Sequence, residues 1–241
     1  MRDWRGWTKR GLKGGDAMDR ITVQLLGCCI ATIIPLLFVS AVIKDKNSRR
    51  IILYFCWGTF AGLLSYFGNS FFGNAPGHAE RVVTGIAPIV EELLKGIPLI
   101  FFLRRKKLLI TEQIVYCAMA SGASFSIQES ILYYSLSTGT TGDILTLAIR
   151  TLTTALMHSM STAIIGMGLL ILQKHRYILI EIMLGLFTLS ACIHALFNLL
   201  LPTKLAMAAL LMPIGLFLAG LVFFENDVTR DVEEESEDIQ S

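Results

Sequence analysis

The sequence predicts an all-α polytopic transmembrane helical bundle of about seven helices. Three features predict it. Hydrophobic residues fill 54% of the 241 positions, above the roughly 45–50% of a soluble domain. They gather in long apolar runs rather than spreading evenly. Short charged clusters separate the runs, as loops separate membrane spans.

A span needs about 20 mostly apolar residues, and seven runs qualify: 21–43, 51–72, 82–103, 113–136, 144–172, 177–201 and 205–224. Helices are the economical form for each, because a backbone in lipid must satisfy its own hydrogen bonds. The first run is too long for a signal h-region and no clear small-residue cleavage site follows it, so it reads as a retained helix. The second follows Arg49 and Arg50, and the third and fourth carry acidic residues within their apolar stretches. The fifth is long and starts in the interface, placing Arg150 near the headgroups. Pro88, Pro98 and Pro213 lie inside runs and are tolerable there as kinks. The runs define a membrane domain over 21–224, between a basic segment at 1–20 and an acidic, solvated tail at 225–241.

Loop charge sets orientation, since Lys and Arg favour the cytoplasmic side. The loops after the first, third and fifth spans hold Lys44, Lys46, Arg49, Arg50, then Arg104, Arg105, Lys106, Lys107, then Lys174 and Arg176. The opposite loops hold Arg81 and Lys204. This places the N-terminus outside and the acidic tail in the cytoplasm, in an inner or cell membrane. The basic residues from Arg2 to Arg20 favour the reverse, a conflict that a start at Met18 would largely remove. A net charge of +2 whose cations sit in loops and the N-terminal segment gives no reason to expect nucleic acid. Cys28, Cys29, Cys56, Cys117 and Cys192 lie in apolar runs without metal-ligand spacing, so they read as small buried apolar residues.

Several residues stand where lipid penalises them. A charge at a helix centre costs about 2.5–3.5 kcal/mol on insertion scales, which makes such groups functional suspects. The third span carries Glu91, Glu92 and Lys95 in EELLK, and the fourth carries Glu129 in FSIQE. The fifth carries His158, and the sixth His194 and Asn198. Counted from one side of the bundle, Glu91, Glu92, Glu129, His158 and His194 lie at depths of roughly 10–21 Å at 1.5 Å per residue, so they can meet in one layer. Lys95 can reach either glutamate from a position three or four residues on, and His194 shares a face with Asn198, as Phe125 does with Glu129.

These motifs, in this order, resemble the PrsW family of glutamic-type intramembrane proteases, within the superfamily that includes the CAAX prenyl endopeptidases and bacteriocin-processing relatives. EELLK matches the family's EExxK and FSIQE its FxxxE; His158 matches the lone histidine of the next helix, and His194 to Asn198 the closing motif. Asparagine at 198 departs from the aspartate frequent in PrsW members. The resemblance implies an endopeptidase that cleaves a membrane-anchored protein, such as an anti-sigma factor, at or near the membrane surface, with the lipid bilayer as its medium.

Peptide hydrolysis needs an activated water, a held oxyanion and a proton for the leaving amine. On that footing Glu92, with Glu129 or His158, activates the water. His194 and Asn198 hold the oxyanion, and Glu91 and Lys95 tune the base. A divalent metal such as zinc is the rival arrangement, with Glu129, His158 and His194 as ligands. Two other functions stay open: a catalytically silent scaffold or regulator, and a transporter using the polar layer as an ion or proton path.

Overall fold

A computed structural model describes residues 14–73, 82–104, 113–136, 144–172 and 179–222. Those residues form seven helices and no strand. They are α1 (Gly14–Val42), α2 (Lys46–Gly73), α3 (Ala87–Arg104), α4 (Gln113–Leu136), α5 (Ile144–Leu172) and α6 (Leu179–Leu200), then α7 (Ala206–Val222). The seven expected spans correspond to these helices in order. The start of the basic segment and the acidic tail lie outside the described residues.

A π-helical turn, Val82–Ile86, leads into α3. Pro88 follows it and has no N–H to close an ordinary helical bond onto the carbonyl four residues back. A wider turn is one way to absorb that loss, and such turns occur frequently at functional sites.

Four helices are long and apolar enough to cross a membrane over Arg20–Val42, Lys46–Phe72, Ala148–Leu170 and Ile180–Leu200. α5 is the central one, with 72% of its best window buried against 17% for α1. α4 lies against it and against α2 at backbone distance. A Cβ on Gly122 of α4 would stand 2.2 Å from the His158 carbonyl of α5, and one on Gly58 of α2 would stand 2.0 Å from the Ser121 carbonyl of α4. Small residues permit this approach where two lipid-soluble helices meet. It also places His158 against the helix that carries Glu129.

α3 is tied to α2 at its proline. Pro98 cannot donate to the Leu94 carbonyl, and Trp57 Nε1 donates to that oxygen at 2.8 Å instead. Tyr54 Oη donates to the Pro98 carbonyl at 2.9 Å, and Ser121 Oγ of α4 donates to the Lys95 carbonyl at 3.1 Å. Leu99, Val115, Ala118, Ile165, Leu169 and Met183 form an apolar core across α3 to α6. Met157, Phe197 and Ala209 anchor α7, while Leu25, Cys29 and Leu63 anchor α1. The cysteines divide more than their sequence context suggests: Cys29, Cys56 and Cys117 are buried, Cys28 is half-buried, and Cys192 is exposed. Cys192 sits on the apolar outer face of α6, where Leu184, Leu189, Leu196 and Leu199 are also exposed.

Candidate active site

Six of the seven residues singled out from sequence form one cluster, drawn from α3, α4, α5 and α6: five are hydrogen-bonded to one another, and Glu91 stands 3.6 Å from His194. Lys95 is fully buried and donates to Glu92 Oε1 at 2.5 Å and to His158 Nδ1 at 2.8 Å. Its Nζ also lies 4.9 Å from the Phe125 ring centroid. Phe125 packs against the His158 ring at 4.9 Å, so the aromatic of the FSIQE segment lies against both Lys95 and His158.

Lys95 can only donate, so His158 Nδ1 accepts and its Nε2 carries the proton. That proton goes to Glu129 Oε2. Glu129 also bonds Tyr133, whose ring lies 3.8 Å from the Arg150 guanidinium. The interfacial arginine expected from sequence therefore stacks on an aromatic one helical turn beyond Glu129.

Glu92 is nearly saturated. Its Oε1 faces Lys95 Nζ, Ser161 Oγ at 3.0 Å and His194 Nδ1 at 3.0 Å, and its Oε2 faces Ser190 Oγ at 2.8 Å. This is a poor setting for the base expected at Glu92, because a carboxylate offers only about four acceptor positions. Its position favours orienting neighbours instead. With Nδ1–H directed at Glu92, His194 presents an unprotonated Nε2. That atom is buried without a hydrogen-bond partner, 3.6 Å from Glu91 Oε2. His194 in this tautomer presents an acceptor toward Glu91, which differs from the oxyanion donor expected of it. Asn198, half-buried, lies one turn further along α6 and makes contacts of its own.

The cluster opens on one side. The side chains of Glu91 and Glu129 keep 11% and 15% exposure, whereas Glu92, Lys95, His158 and His194 keep 1% or less. Asn69, Ser161 and Ser190 were not singled out from sequence. Asn69 Nδ2 of α2 donates to Glu91 Oε1 at 2.9 Å. A lone Asn or Ser in an apolar helix carries no spacing signal; only the folded neighbourhood gives these three their meaning.

The donor set suits a divalent metal ion. One ligand atom each from Glu91, His158 and His194 lie within 4.8 Å of one another; ligands on a tetrahedral zinc stand about 3.4 Å apart, so these side chains would close in by about an ångström to share one ion. The bare His194 Nε2, backed by a carboxylate on Nδ1, has the geometry of a supported metal-ligating histidine. With every carboxylate ionised, Glu91, Glu92 and Glu129 against Lys95 leave two buried negative charges in excess, which a divalent cation would offset. The compact triad contains Glu91 where the sequence reading put Glu129.

Helices of spanning length around a buried acid–base cluster make this a polytopic integral membrane protein with an intramembrane polar centre. The chain belongs to the PrsW family of intramembrane metalloproteases, whose family model matches residues 46–224. It is therefore a peptidase by family. No curated protein and no solved structure gives a match.

Proposed function

We propose that the chain hydrolyses a peptide bond of a membrane-anchored protein at or near the membrane surface, and that Glu91, His158 and His194 hold a divalent metal for the purpose. The observation that carries this reading is the bare, buried His194 Nε2 at 3.6 Å from Glu91 Oε2. Zinc bound there would acidify a water molecule and polarise the scissile carbonyl.

The protein groups divide the remaining work. Glu92 fixes the His194 tautomer and neutralises Lys95, so it positions rather than reacts. His158 would ligate with Nε2, the nitrogen that donates to Glu129 in the structure. The same exchange frees Glu129, at the exposed rim, to accept a proton from water and pass it to the leaving amine. Asn198 can only donate or accept hydrogen bonds, which suits it to the developing oxyanion. A metal site with its own base accounts for the two carboxylates at the rim better than the purely glutamic mechanism does.

The test is co-reconstitution with single-span proteins, anti-sigma factors among them, followed by mass mapping of the fragments. The expected result is a cut in or beside the substrate's span that disappears in His194→Ala. Cuts confined to soluble domains, or retained in His194→Ala, contradict the reading.

A further inference from the structure

α2 carries none of the family motifs, yet it supplies a polar contact to Glu91. We propose that Asn69 is the positioning residue that holds Glu91 in its ligating orientation; this rests on the metal reading of the site.

Two observations carry it. Asn69 Nδ2 stands 2.9 Å from Glu91 Oε1, while Glu91 Oε2 is the oxygen turned toward His194 Nε2. The amide thus grips the oxygen that does not face the histidine. The terminal torsion of a glutamate is broad and roughly two-fold, so an ungripped carboxylate samples orientations that take Oε2 away from the triad. The assignment of nitrogen toward Glu91 follows from chemistry, since an ionised carboxylate only accepts.

The second observation is the other end of the same amide. Asn69 Oδ1 is buried with no hydrogen-bond partner. An unpaired buried acceptor is unfavourable, so the orientation of this amide is not set by its oxygen. One end is committed to Glu91 and the other is left bare. Gly68, the preceding residue, meets Val90 of α3 only at ordinary contact distance, its Cβ position being 3.6 Å away. At this level the hydrogen bond adds a polar link between helices that are in ordinary contact.

The experiment uses the full-length protein in detergent, titrated with Zn2+ by calorimetry and with Co2+ by visible absorption, which reports ligand geometry. Asn69→Leu keeps the volume and deletes the donor, and Asn69→Ala is the second variant should leucine disturb the fold. The expected result is Zn2+ affinity weaker by about 10–100-fold and an altered Co2+ spectrum in a variant that still unfolds cooperatively. Glu91→Gln serves as the reference and is expected to lose more. Wild-type affinity and spectrum in a folded Asn69 variant, with Glu91→Gln impaired, overturn the proposal alone. A wild-type protein that takes up neither ion, or a Glu91→Gln variant that binds as well as wild type, overturns the metal reading and this proposal together.

Discussion

Replacing Lys95 with methionine is expected to destabilise the protein by about 3–5 kcal/mol, the usual cost of breaking a buried ion pair by removing one partner. Lys95 is fully buried and its ammonium bonds both Glu92 and His158. Without it, Glu92 keeps a charge that Ser161, Ser190 and His194 solvate but do not neutralise. The double variant Lys95→Met/Glu92→Gln removes both charges, and replacing a buried pair by neutral groups is often close to neutral in stability. Thermal unfolding in detergent should therefore show a large loss in the single variant and substantial recovery in the double. Additive losses would mean that the two residues act independently. The double variant should remain inactive even when refolded, because His194 loses the carboxylate that sets its tautomer.

The second large effect separates two adjacent glutamates. Glu91→Gln should leave the fold intact and lower cleavage by at least about a hundredfold, since ligand orientation alone is worth 10–100-fold at metal sites. Glu92→Gln should instead destabilise, because it strands the Lys95 ammonium in a fully buried position. Parallel unfolding and cleavage measurements on the two variants decide the matter. A stable, inactive Glu92→Gln beside an active Glu91→Gln would reverse the roles of the two glutamates.

Sequence could not rank that pair. Adjacent positions on a helix differ by about 100° in direction, and nothing in EELLK says how α3 is turned. The depth argument did not need that knowledge: it used only span boundaries, and those of α4 and α5 agree with the helices at 113–136 and 144–172. α3 shows why composition alone is a poorer guide to such spans. It is absent from the helices that qualify by length and hydropathy, and the charged residues that make the site are the ones that dilute its apolar signal.

What remained hidden was the hydrogen-bonding environment. Ser161, Ser190 and Asn69 are ordinary polar residues in their own helices and acquire a role only when α5, α6 and α2 bring them to Glu92 and Glu91. The exchange of Glu129 for Glu91 in the compact triad has the same origin. Both glutamates lie at a suitable depth, and only the packing of α4 against α5 at Gly122 commits Glu129 to His158.

The central claim is that this polar centre is a metal site. The most direct measurement is the metal content and cleavage activity of the purified protein before and after chelation. The account predicts about one divalent ion per chain, loss of cleavage when it is stripped, recovery on adding zinc, and no ion retained by His194→Ala. Full cleavage by a protein stripped of metal would contradict it and return the site to a purely glutamic mechanism.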